Sequence, residues 1–146
     1  MESFEKEIVM PAKVSELDKL QEWLGLILDK VECSSKTCSQ IAVVTEEIFT
    51  NICRHAYGNT NSDTNSICVQ AGMDGAQLVM RFEDSGAAFN PLDHVLPDIS
   101  APFENWKTGG LGIFFIKKWT DKISYNRTYD NKNQLTLYKT IINRTM

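Results

Sequence analysis

Glu47 and Asn51 stand four residues apart in an apolar segment with helical spacing. On an α-helix that separation puts both on one face, roughly 40° apart. A helical wheel sets the pair at the border of the Ile41/Val44/Ile48/Ile52 stripe, over a cleft, partly dehydrated but reachable. An asparagine oxygen can hold a hard cation; in phosphate sites magnesium takes few protein ligands and fills its shell with phosphate oxygens and water. A glutamate beside it can accept a proton from an attacking hydroxyl or water. Taken alone, the pair reads first as the polar flank of an ordinary amphipathic helix.

Two further segments offer complementary chemistry. Asp84-Ser85-Gly86 follows the apolar run Leu78 to Phe82. A carboxylate at a strand end can accept from the exocyclic amine of adenine, and a glycine lets backbone approach a flat ring. A turn after a strand explains the same residues. Gly109-Gly110-Leu111-Gly112 opens an apolar helix. Amides at a helix N-terminus are unpaired and attract anions, and glycines give phosphate oxygens room to reach them. Neither the Walker loop nor the dinucleotide fingerprint fits this turn, because their flanking residues are absent.

The elements that must position these groups follow from periodicity. Phe4, Ile8 and Met10 predict a short first strand closed by Pro11. From Val14 the apolar spacing predicts a helix through Val31, with Ser15 as its cap, and a second helix runs from about Ser39 to Tyr57. Ile67–Gly72 and Gln77–Glu83 read as a hairpin turning at Asp74-Gly75. Residues 87 to 108 carry three prolines and little periodicity, as functional loops do. A helix over Leu111–Asp121 and a closing hairpin, Ile123–Tyr129 with Gln134–Ile142, complete the order. This predicts an α/β two-layer sandwich: a mostly antiparallel sheet with helices on one face.

The totals narrow the function classes. With 146 residues, 42% hydrophobic and 23% charged, the chain is expected to form a single domain spanning 1–146. A net charge of -4 without a basic block argues against direct nucleic-acid binding and against an anionic membrane surface. No apolar run approaches bilayer length, and the acidic start is no secretory signal, so a cytoplasmic protein is expected. Cys33, Cys38, Cys53 and Cys68 lack metal-ligand spacing and are expected to be inert thiols.

The three segments in this order carry a resemblance. Glu46-Glu47-Ile48-Phe49-Thr50-Asn51 continues to His55-Ala56-Tyr57; then comes Asp84-Ser85-Gly86-Ala87-Ala88-Phe89-Asn90-Pro91; then Gly109-Gly110-Leu111-Gly112-Ile113, with Asn133 to Leu137 near the end. Nearly end to end, the chain resembles bacterial anti-sigma-factor serine/threonine kinases. These lie within the Bergerat-fold (histidine-kinase-like) ATPases, a group that includes gyrase B and sensor histidine kinases. The resemblance implies ATP and Mg²⁺ as cofactors, with Asn51 holding the metal and Glu47 as catalytic carboxylate. It implies Asp84 on the adenine amine with Gly86 beside it, Thr136 supporting the same edge, and Gly110 and Gly112 donating amides to phosphates. Residues 92 to 108 would form a lid, with Lys107 as its basic residue.

The implied substrate is a STAS-type anti-sigma-factor antagonist, the implied second partner a sigma factor or similar regulator. Phosphorylation would add about -1.5 to -2 charge and expel the antagonist from the interface. A homodimer is left open. Ala88 stands where the family's second motif has a glycine, and Asn90 where it has an aspartate. The alternative function is a regulatory binding module, with or without nucleotide, that lacks kinase activity. The ATP-binding half of a histidine kinase would need a phosphoacceptor helix supplied by another polypeptide.

Overall fold

The computed structural model describes residues 4–56, 65–93 and 110–141. The elements run β1 (Lys6–Pro11), α1 (Leu17–Asp29), α2 (Ser35–Asn51), β2 (Ser66–Asp74), β3 (Gln77–Asp84), α3 (Gly110–Lys118), β4 (Lys122–Arg127) and β5 (Asn133–Thr140). The strands form one sheet in the order β1-β2-β3-β5-β4, and every neighbouring pair is antiparallel. Register follows alternation. Val69 faces Phe82, Phe82 faces Leu135 and Leu135 faces Tyr125, so one side of the sheet is a continuous apolar surface. Against it pack Leu20, Leu24 and Leu28 of α1, Ile41, Val44 and Ile48 of α2, and Ile113 and Ile116 of α3. This is the expected two-layer sandwich with an antiparallel sheet.

Several local expectations shift. Val14 lies in a 3-10 turn, Val14–Glu16, and is 52% exposed, so α1 begins three residues later than its apolar spacing suggests. Ser15 caps nothing, because it sits inside that turn. The side-chain cap is on the next helix: Ser34 Oγ accepts from the Thr37 amide at 3.1 Å and starts α2 at Ser35, four residues early. The β2–β3 turn lies one residue along from Asp74-Gly75. Asp74 pairs with Gln77, so Gly75 and Ala76 form the turn, and Gly75 has a φ of 61°. Glycine at the first central position suits a hairpin turn that matches strand twist. Tyr57 and 94–109, which hold most of the expected lid with Lys107 and Gly109, lie outside the described residues.

The functional end of α2 is irregular. Thr50 Oγ1 donates to the carbonyl of Glu46 at 2.9 Å and to that of Glu47 at 3.3 Å, competing with the backbone for these acceptors. Directly after Asn51 the helix widens into a π-type turn over Ile52–Ala56. Such turns occur in short pieces and frequently at functional sites.

Candidate functional site

Helix α2 is the spine of the site. In its last turn, Glu47 meets the glycine turn that opens α3. A Cβ built on Gly112 would lie 2.1 Å from Glu47 Oε2 and 2.8 Å from its Cδ. Only glycine fits against the carboxylate as it stands. One helical turn on, Asn51 is 7% exposed, and its Nδ2 has no hydrogen-bond partner among the described residues. In the widened turn beyond, His55 stacks on Phe89 with ring centroids 4.8 Å apart. The Cys53 thiol senses the charge of Asp84. One helix thus reaches the glycine turn at Glu47 and the strand-end segment at Cys53 and His55. The three segments separated in sequence converge.

Asp84 ends β3 on the helix-facing side and is 4% exposed. Its Oδ1 accepts from the Gly86 amide and from Asn133 Nδ2, each at 2.9 Å. No hydrogen bond reaches Oδ2 among the described residues. Burial pushes this carboxyl above the usual carboxylate range; the bonds from Asn133 and Gly86 and the nearby Arg127 guanidinium pull the other way. Glu47 is also raised, first by desolvation and then by Glu46, with Arg54 opposing. A carboxylate with raised proton affinity is a better base than a solvated one.

Thr136 requires correction. Asp84 pairs with Asn133, so Thr136, three residues on, points through the opposite face of the sheet. There its hydroxyl accepts from Arg81 Nε at 3.0 Å, remote from the adenine edge that the resemblance assigned to it. The position beside Asp84 belongs to Asn133, which is likewise buried. Asn133 Nδ2 also donates to the Ala87 carbonyl at 2.8 Å, while its Oδ1 accepts from the Phe89 amide at 3.3 Å and from the Tyr125 hydroxyl. Arg127 Nη1 donates to the Gly86 carbonyl at 2.9 Å. Sequence reasoning singled out none of Asn133, Arg127 and Tyr125 for the site. Gly86 and Gly112 are buried, whereas Ala88 is exposed and has no positive φ. An alanine is therefore accommodated there without backbone strain.

Two observations fit a nucleotide with its cation. A buried amide nitrogen without a partner costs about 1–3 kcal/mol, so Asn51 is held at a cost to stability; its amide oxygen, not this nitrogen, is the atom that could face a cation. The missing Cβ at Gly112 lets the turn that opens α3 lie directly against the Glu47 carboxylate, so helix N-terminal amides and a carboxylate share one place. Asn51 would hold the metal, and Gly110 and Gly112 would face the phosphates. Among the described residues no group of three or more His, Cys, Asp or Glu gathers as a metal site. A cation at Asn51 would therefore draw most of its ligands from phosphate and water.

Cys33 and Cys68 are pushed up to about 12 and Cys53 to about 11, mainly by burial, which keeps these thiols protonated. Lys117 reaches the Leu92 carbonyl at 3.4 Å, and Lys118 lies over the Phe114 ring; both are exposed. No helix among the described residues is long and apolar enough to cross a membrane.

Comparison with known proteins bears on the family and the fold. The chain is similar to the serine/threonine-protein kinase BtrW of Bordetella bronchiseptica, 24% identical over 115 residues that cover 79% of each chain. It is 23% identical over 128 residues to the serine-protein kinase RsbW of Oceanobacillus iheyensis, covering 84% of this chain and 79% of that one. Among solved structures, the RsbU and RsbW domains of Rv1364c from Mycobacterium tuberculosis align with a TM-score of 0.65 at 14% identity. That match covers 93% of this chain, which spans about a third (32%) of the longer one. The Acinetobacter baumannii histidine kinase AdeS aligns at a TM-score of 0.50 and 15% identity, over 94% of this chain and 68% of its own. A family profile described as histidine kinase-like ATPase domain matches residues 10–139, nearly the whole sequence, and the chain belongs to that family.

Proposed function

We propose that this chain is a Mg²⁺-ATP-dependent protein serine/threonine kinase and an anti-sigma regulatory factor of the cytoplasm. Its substrate is a serine or threonine on a STAS-type antagonist. The observation that carries the reading is the contact of Gly112 with Glu47, one helical turn from Asn51, which is buried and whose Nδ2 has no partner among the described residues. It joins a base, a cation ligand and a phosphate-facing turn. The two serine kinases similar over about four fifths of their length support the choice of reaction.

Bound Mg²⁺-ATP supplies a transferable phosphoryl group with part of its charge neutralised. The chain's own residues bind and orient. Asp84 Oδ2 would accept from the exocyclic amine of adenine, and the amides of Gly110 and Gly112 would face the phosphates. Asn51 offers its carboxamide to the metal. Glu47 takes the proton of the substrate hydroxyl, for which its desolvated, raised carboxyl suits it. Phosphate on the antagonist then repels it from this acidic chain, and the freed kinase holds a sigma factor.

Glu47→Gln tests the assignment. It keeps the shape and removes the base, so ATP binding should persist while transfer to a cognate STAS protein is lost. Unchanged transfer would remove Glu47 from its role. Binding without transfer by the wild-type protein, across the STAS proteins of its own genome, would favour a regulatory module instead.

A further inference from the structure

We propose that Asn133 is the positioning residue for adenine recognition, an inference that rests on the ATP reading above. All four hydrogen-bonding valences of its amide are in use. Nδ2 donates to Asp84 Oδ1 and to the Ala87 carbonyl, at 2.9 and 2.8 Å. Oδ1 accepts from the Tyr125 hydroxyl and the Phe89 amide. The donors and acceptors around it admit one orientation only, since a flipped amide would set N–H against N–H at Phe89.

The consequences reach both halves of the site. By occupying Asp84 Oδ1 together with the Gly86 amide, Asn133 fixes the carboxylate plane and leaves Oδ2 as the acceptor for an amine. By holding backbone groups on either side of Ala88, it fixes the loop after Asp84. Arg127 secures the preceding carbonyl, that of Gly86. The loop is held from the closing hairpin by side chains, and its last anchored residue, Phe89, carries the stack with His55 back to α2. Positioning an acceptor this way matters for specificity, because an amine in the ligand is rewarded only if the acceptor is already aimed at it.

The test compares ATP with ITP, whose base has a carbonyl oxygen in place of the exocyclic amine. Calorimetry on the whole chain gives the ratio of the two affinities. Wild type should prefer ATP. Asn133→Ala should lower that preference about tenfold, mostly by weakening ATP, with the far-ultraviolet dichroism unchanged. Asn133→Asp adds a readout that mere destabilisation does not move. The new carboxyl can replace the amide donor only while it keeps a proton, and the neighbouring Asp84 raises its affinity for one. Glu83 and Arg127 act on this place as they do on Asp84, the first adding to the repulsion and the second opposing it, and the Cys53 thiol facing from the turn after α2 stays protonated. The ATP/ITP ratio of Asn133→Asp should therefore fall as pH rises from 5 to 8, while that of wild type stays level. A folded Asn133→Ala protein with wild-type preference, or an Asn133→Asp ratio independent of pH, would overturn the inference. A wild-type protein that does not distinguish ATP from ITP would instead overturn the ATP reading beneath it.

Discussion

Alanine at Gly112 should separate catalysis from stability. The added methyl would start 2.1 Å from Glu47 Oε2, where carbon and oxygen approach to about 3.3 Å at closest. The carboxylate must retreat by roughly 1 Å or swing to another rotamer. It can do so, because the obstructing atoms are the far end of a flexible side chain. The cost of an off-rotamer shift is about 0.5–1.5 kcal/mol. Replacing a helical glycine returns up to about 1 kcal/mol. The two nearly cancel, and the melting temperature should move by only a few degrees. Transfer should not survive so well: a misplacement near 1 Å can cost about a hundredfold, or about 2.7 kcal/mol of barrier. Single-turnover transfer of labelled phosphate at saturating ATP reads this directly. Because the loss acts through Glu47, Gly112→Ala should subtract little more from a Glu47→Gln protein. Transfer within about threefold of wild type, or losses that simply add, would refute the argument.

Two further outcomes are expected. Asn51→Ala removes a buried, unpartnered amide nitrogen, so urea unfolding should show stability unchanged or higher, while the Mg²⁺ dependence of ATP binding disappears; a clear loss of stability would show that the amide serves the fold. The raised thiols of Cys33, Cys53 and Cys68 stay protonated in the folded chain to about 11 or 12, whereas unfolded thiols release protons near their ordinary 9.0. Their contribution to stability is therefore complete below pH 9 and is lost as pH climbs toward 12. Iodoacetamide at pH 7.5 should label native protein far more slowly than urea-unfolded protein, and equal rates would contradict the burial.

The fold was largely legible because its signals are periodic. Leucines at 20, 24 and 28 can only face one way on a helix, and the alternation of Leu78, Met80 and Phe82 assigns β3 its inner face. The same logic, applied one strand further, would have corrected Thr136. Leu135 and Leu137 mark the inner face of β5, so the residue between them must look outward. Asn133 shares parity with those leucines, but it stands in a polar turn, Asp130 to Asn133, and reads as turn chemistry. What sequence could not supply was the register that brings Asp84, Asn133 and Arg127 into one row, since register depends on strand pairing across distant segments. Local capping failed for a similar reason. Ser15 and Ser34 are chemically alike, and only the chain path decided which hydroxyl met a free amide.

The central claim is that Glu47 and Asn51, the Asp84 segment and the Gly110–Gly112 turn form a single adenine nucleotide site. Calorimetric titration of Mg²⁺-ATP into the wild-type and Asp84→Asn proteins tests it most directly. Replacing the carboxylate turns the acceptor for the adenine amine into an amide whose orientation is contested by Asn133, so affinity should drop at least about tenfold in a protein that remains folded. Absence of ATP binding by wild type, or equal affinity in the two proteins, would contradict the account.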